Sequence, residues 1–446
     1  MAPDRRRGAG CGSRGPRRGA ARRLACAAHR RGGARMSAVV YRAPLLTPRS
    51  ADRLDAWADG GLRVRDGRIE AAGDFDAVMV LGEAAVESLD GVLVPGFADV
   101  HIHWVQFPVR GAFEEELMPW LREYIWPEEM RYADQDFARA AAQRFFAATV
   151  RAGTVMGMSY SSVHAAATHI ADEARVGDWM VGDVVMEHGA PEALTRASVH
   201  DAAELNARAA GIGPDRYVVT PRFALNCTPA LMAALGDFAR AGGYRVQTHL
   251  SESPGEIREV LREFPDAEDY TDVYDRAGLL GPRSVLGHCI HLSPREWSVL
   301  RARGSWIAHC PSSNEALDSG RMDLDTVRRL DIPYALASDV GAGSSHSLLH
   351  VMQRFLEIHR AAGVEVSATE ALYRATLAGA ECMGRGAVAG SLDAGKRADF
   401  VLLPRPAGGF LPEAWIEEWT RGAMAELETR PLATWIAGER HAPPAT

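Results

Sequence analysis

The sequence predicts an α/β protein: a (β/α)8 barrel of TIM type with a small β-sandwich domain built from both chain ends. Three observations predict it. Short apolar runs alternate with helical stretches about eight times between residues 92 and 362, the pattern of parallel strands joined by helical crossovers. Five of those runs end in histidine or aspartate, and barrels of this type carry their reactive groups at the C-terminal ends of the strands. Both chain ends show a different pattern, short alternating pieces separated by Asp-Gly and Gly-rich turns. A doubly wound open sheet is the alternative. No G-x-G-x-x-G follows the first strand, and the polar residues sit at many strand ends rather than at one crevice.

Taken in order, residues 1–36 carry eleven arginines and one acid, Asp4, in a Gly- and Ala-rich background. They lack the continuous apolar core of a secretory or twin-arginine signal and cannot bury enough surface to fold. They read as a disordered tail or a mis-assigned start, with Met36 the expected first residue. Residues 37–93 form the first part of the sandwich, with strand pieces at 38–41, 61–64, 68–72 and 77–81 separated by turns such as Asp66-Gly67 and Asp90-Gly91. Residues 94–384 form the barrel. Its strands are expected at 92–103, 154–159, 179–186, 217–223, 245–249, 284–288, 305–309 and 334–338, with helices at 136–152, 165–175, 201–210, 229–241, 294–303 and 347–362. Residues 385–446 return to the sandwich through strands at 399–403 and 434–437, with Gly395-Lys396-Arg397 and Gly438-Glu439 as turns.

Composition narrows the function. The chain has 446 residues, 47% hydrophobic and 24% charged, enough for one large core plus an appendage. Its formal charge is −8, and leaving out the eleven arginines and Asp4 of the first segment moves it to −18. An acidic body argues against a nucleic-acid partner. No apolar run approaches the ~20 residues of a membrane helix, so no membrane partner is expected. Six cysteines without regular spacing read as thiols in a reducing compartment, which predicts a cytoplasmic protein.

The chemistry starts at His101 and His103. Residues i and i+2 on a strand point to one face, so both imidazoles aim at one point while Ile102 faces away. Strand 5 ends in His249, strand 6 in His288, strand 7 in His309 and strand 8 in Asp339. A catalytic zinc site takes three or four protein ligands and keeps a position for water. His101, His103, His249 and Asp339 fill that role with one ion per chain; histidine and carboxylate serve Fe2+ as well. Zinc lowers the pKa of bound water from 15.7 to about 7, more nucleophile than any side-chain base alone generates. Glu252, three residues after His249, suits a proton shuttle to a ring nitrogen or leaving amine. His288 and Asp339 are placed to orient the attacking water, and His309, followed by Cys310 and Pro311, is surplus and reads as structural. The chain has a single lysine, Lys396, and strand 4 ends Thr220-Pro221-Arg222-Phe223. A two-metal site bridged by a carbamylated lysine at that strand end is therefore excluded.

These residues resemble the amidohydrolase superfamily. The resemblance rests on 95–103 (PGFADVHIH) and on 395–400 (GKRADF). The guanine deaminase branch is indicated more narrowly by Gln106, by 117–121 (LMPWL) running to 126–129 (WPEE), and by 220–223 (TPRF) and 248–252 (THLSE). Residues 270–274, 308–314 (AHCPSSN) and 338–343 (SDVGAG) extend it. The resemblance covers nearly everything from about residue 60 to 440, in order. It implies hydrolysis of guanine to xanthine and ammonia with one zinc, held by His101, His103, His249 and Asp339. Glu252 and Asp339 would then move protons and His288 would assist the water; a homodimer is implied too. Gln106, Arg222 and Phe223 match the family's base-binding positions. Arginine's planar fork suits the O6 and N7 acceptors of guanine. A glutamine amide both donates and accepts, as the N2/N3 edge requires, and Phe223 offers a stacking face. The bland reading of Arg222 is an ion pair with an acid near the barrel mouth. Departures from the family pattern fall at 182–188, at Trp104-Val105 and at 107–110; they concern the pocket wall and leave a pterin, an oxidised guanine or a triazine as alternative substrates. A non-catalytic scaffold with this fold would have lost ligands that this chain keeps.

Overall fold

A computed structural model describes residues 38–113 and 117–441. The expectations for residues 1–36 lie outside the described residues.

Eight parallel strands alternate with helices through the middle of the chain: β1 (Phe97–His103), β2 (Thr154–Tyr160), β3 (Asp178–Gly182, continued by Val184–Val185), β4 (Val218–Pro221), β5 (Arg245–Leu250), β6 (Ser284–His288), β7 (Trp306–His309) and β8 (Tyr334–Leu336). They form two arcs. One runs β1-β2-β3, and the other runs from Val184–Val185 through β4, β5, β6 and β7 to β8. At one seam Val181 pairs with Tyr217 and its N–H donates to the Arg216 carbonyl at 2.8 Å. At the other, the Asp339 N–H donates to the His101 carbonyl at 2.9 Å and the His103 N–H to the Val340 carbonyl at 2.7 Å.

Both faces of these strands are buried, as a helix-covered parallel sheet requires. Ala98, Val100, Met156, Met158, Met180, Val218, Val285, Ala308 and Ala335 pack in one cluster. Their alternates Ile102, Trp179, Val181, Val219, Leu286, Ile307 and Leu336 pack in another, with Ala and Phe side chains of the covering helix Gln135–Arg151. This period-two alternation follows from pleating.

The two chain ends meet in one eight-stranded sheet. Its order is Glu439–His441, Ala433–Ile436, Phe400–Leu403, Val92–Pro95, Ala38–Pro48, Leu54–Arg65 and Arg68–Asp74, with Ala84–Ser88 alongside Ala38–Pro48. Val94 lies opposite Val401 in an antiparallel pair. Leu93, Phe400 and Leu402 pack with Tyr41, Leu45 and Trp435 on one face, while Val92, Val94, Val401 and Leu403 join the large cluster around the barrel strands. All described residues fall in one compact unit.

The expected sandwich is traced as a single eight-stranded sheet, and two elements differ from the sequence expectation. The run 92–103 is two strands, one in each sheet, divided at Gly96. A Cβ there would lie 2.4 Å from Val155 Cγ2, so the backbone turns between sheets where only glycine fits. The expected strand at 77–81 is overtaken by a short helix, Phe75–Met79, because the Asp74 carboxylate accepts from the Asp76 N–H and caps it.

Candidate active site

The C-terminal strand ends deliver the site. β1 presents His101 and His103, β5 His249, β6 His288, and the residue three beyond β8 is Asp339. Asp99 ties two of these ends together: its Oδ1 accepts from the His101 N–H at 3.3 Å and the Ser338 N–H at 3.1 Å. Ser251, His288 and Asp339 have φ of 53°, 69° and 50°. Left-handed backbone at three strand ends is uncommon outside glycine and clusters at functional sites.

His101, His103, His249 and Asp339 each bring one donor atom into a group in which all lie within 4.8 Å of one another. The Nε2 atoms of His101 and His103 are both 3.4 Å from Asp339 Oδ1. His249 Nδ1 lies 2.6 Å from the Arg222 carbonyl, which only accepts, so Nδ1 carries the proton. Its Nε2 is then a lone pair, 3.3 Å from His103 Nε2. Two ring nitrogens facing at that distance beside a carboxylate fit a shared cation. Burial supplies the required protonation states. It depresses His101, takes His103 down to about 3 and holds His249 well below the ordinary histidine value. Burial works to raise Asp339, but hydrogen bonds from His101 and His103 outweigh it and hold the carboxyl well below its usual range. Three neutral imidazoles and one carboxylate can hold a zinc or ferrous ion.

His288 is biased the other way. Burial opposes its charge, yet the Glu252 and Asp339 carboxylates and a hydrogen bond to Asn314 raise it. Its Nδ1 lies 2.9 Å from Asn314 Oδ1, and its Nε2 faces Glu252 Oε2 at 3.6 Å and Asp339 Oδ2 at 3.9 Å. Burial raises Glu252, opposed by the charge on His288. One pocket thus holds imidazoles pushed apart in proton affinity, the arrangement that assigns acid and base roles. Helix α2 (Pro254–Glu263) fixes Glu252: Glu256 Oε2 of its capping box accepts from the Glu252 N–H at 3.0 Å. Ser319 Oγ donates to Glu252 Oε1 at 3.2 Å.

Beside this cluster lies a pocket lined by His103, Gln106, Arg222, Phe223, His249, Glu252, His288 and Asp339, with Trp120, Leu121, Glu256, Leu317 and Ala342 completing it. His101 lies behind the lining with its Nε2 on Asp339. All nine residues singled out from the sequence are thus brought together. Arg222 makes the ion pair of the bland reading: Nη1 donates to Glu129 Oε1 at 2.9 Å and Oε2 at 3.2 Å. Glu129, on helix α1 (Trp126–Met130), also accepts from Gln106 Nε2 at 2.8 Å. Its role was not legible beforehand; the only signal was its place at the end of the 126–129 motif. Trp104 and Val105, expected at the pocket wall, pack instead in the large cluster, with Trp104 edge-on to Tyr132 at 4.9 Å. The strand gives way after His103 to a 3-10 turn, Trp104–Val109, which carries these side chains away from the lining. The 182–188 departure touches the site through Met186, whose Sδ lies 3.9 Å from Arg222 Nη1. His309 Nε2 pairs with His359 Nε2 at 2.9 Å.

Residues 92–438 match the amidohydrolase family. The chain belongs to that family. Its fold is therefore of the TIM-type α/β kind, and family members use metal-dependent hydrolysis. Among relatives, a guanine deaminase of Escherichia coli K12 is 34% identical over 355 residues, 77% of this chain and 81% of that one. A probable guanine deaminase of Deinococcus radiodurans is 36% identical over 431 residues, 89% and 94% of the two chains. A crystal structure of guanine deaminase from C. acetobutylicum with guanine in its active site superposes with a TM-score of 0.79 at 25% identity, covering 91% of this chain and all of that one.

Proposed function

We propose that the chain hydrolyses guanine to xanthine and ammonia, using one metal ion held by His101, His103, His249 and Asp339. The observation that carries this reading is the adjacency of that donor set to a cavity walled by Gln106, Arg222 and Phe223, in a chain whose relatives include guanine deaminases. Zinc is the metal we favour, and the donor set fits iron too. When bound, either ion would supply the Lewis acidity that makes water nucleophilic at neutral pH. The side chains supply the rest. Phe223 stacks on the purine, the Arg222 fork takes acceptor oxygens or nitrogens of the base, and the Gln106 amide takes the N2/N3 edge. Asp339 and His288 orient the attacking water. Glu252 takes one proton of the water and passes it to ring N3 as the C2–O bond forms; the remaining hydroxyl proton then moves to the amine, the C2–N bond breaks, and xanthine with its C2 carbonyl is left as ammonia departs.

The two arcs close into one (β/α)8 barrel spanning 94–384, and residues 37–93 with 385–446 form its flanking β-domain. The enzyme works as a cytoplasmic homodimer on a small-molecule substrate. No helix among the described residues is long and apolar enough to cross a membrane.

The test is an assay of xanthine and ammonia from guanine with metal content measured on the same sample. Equimolar release of both products is expected. Absence of ammonia from guanine, with turnover of a pterin, an oxidised guanine or a triazine, would transfer the reaction to another ring.

A further inference from the structure

We propose that Glu129 is a positioning residue that sets which base the cavity accepts; the inference rests on the guanine deaminase reading. Glu129 is only 1% exposed and is absent from the cavity lining, so it reaches a bound base only through other side chains. It holds two of them at once. Its Oε1 accepts from Gln106 Nε2 at 2.8 Å and from Arg222 Nη1 at 2.9 Å, and its Oε2 accepts from the same Arg222 nitrogen at 3.2 Å.

The consequence for Gln106 is a fixed amide. Its Nε2 faces the Glu129 carboxylate, and its Oε1 accepts from the Gly341 N–H at 3.1 Å. A flipped amide would set its oxygen against a carboxylate and its NH2 against an N–H, so one orientation is imposed. One N–H and one oxygen lone pair then remain to Gln106. That donor–acceptor pair complements a ring nitrogen next to an exocyclic amine, the edge at which guanine is deaminated.

The consequence for Arg222 is charge compensation. A buried guanidinium paired with Glu129 presents donors to the cavity without a net charge. The wall therefore selects a neutral base that carries an acceptor for Arg222 and an amidine-like edge for Gln106. Glu129 couples the two recognition elements from strand ends β1 and β4, which lie at sequence separations of 23 and 93 residues from it.

Glu129→Gln tests this, with guanine compared against 2-aminopurine, which has the same amine and N3 but no O6. The variant should keep its metal, raise KM for guanine ~10-fold or more with kcat little changed, and lower the guanine to 2-aminopurine ratio of kcat/KM by ~10-fold or more. Glu129→Asp, which keeps the charge on a shorter arm, should give a ratio between wild type and Glu129→Gln. If Glu129→Gln does not accumulate as folded protein, the Asp variant alone decides, and it must lower the ratio. A folded, metal-loaded variant with the wild-type ratio overturns the inference. Wild-type protein that fails to deaminate guanine overturns the parent reading, and this inference falls with it.

Discussion

Glu252 is the side chain whose substitution separates proton transfer from metal binding. It contacts His288 Nε2 at 3.6 Å and Ser319 Oγ at 3.2 Å, but it is not one of the four residues whose donor atoms cluster. Glu252→Gln keeps shape and hydrogen bonding while removing the titrating oxygen. Metal content should stay unchanged and turnover should drop at least ~10²-fold, measured by ammonia release alongside elemental analysis; near-normal turnover would remove Glu252 from the shuttle. Arg222 belongs to the opposite class. Its guanidinium lines the cavity and its carbonyl orients His249, and a side-chain substitution leaves the carbonyl in place. Arg222→Ala should mainly raise KM for guanine with kcat retained, as loss of binding common to ground and transition states does. At this scale the sequence was most legible where residue type and strand-end position coincide, as at His101, His103, His249 and Asp339. It was least legible at Glu129, since one acid in an acid-rich helix carries no mark of partners 23 and 93 positions away.

The strand ends work as elements because the backbone next to the ligands is as constrained as the ligands themselves. Gly287 of β6 shows this. A Cβ there would lie 2.9 Å from His101 Cε1, so the imidazole occupies space that only glycine leaves open. Gly287→Ala must push the His101 ring or the β6 backbone, a kind of overpacking that costs about 1–3 kcal/mol in a packed interior. Metal affinity, read by competition with a chromophoric chelator, should fall ~10-fold or more, while Gly304→Ala, at the left-handed cap of the helix Pro294–Arg303, should lower stability without a matching loss of metal affinity. Equal metal affinity in Gly287→Ala would show that the ring has room to move. The alternation of strands and helices was readable because apolar period and turn residues repeat. Its exceptions have local causes: a sheet change at Gly96, imposed by Val155 packing against it, and a capped helix at Phe75–Met79 in place of a strand.

At the scale of the whole molecule, the proposed ligands come from β1, β5 and the segment after β8, and these must be brought together before any chemistry exists. Hydrogen bonds from Asp339 to His101 and from His103 to Val340 draw the last strand end onto the first, and Asp99 bonds to both sides of that seam. The β character of both chain ends was readable from their turn residues, and their joining in one sandwich was an expectation; the strand order, with Val94 opposite Val401, was not readable, because a pairing between positions so far apart leaves no local trace in either segment. The central claim is that this long-range assembly holds one catalytic cation. The direct measurement is metal stoichiometry against guanine turnover as a chelator is titrated into the purified enzyme and zinc is then restored. The account predicts about one zinc or iron per chain, xanthine release falling in step with metal loss, and recovery on adding zinc back. Full turnover by protein stripped of metal would contradict it.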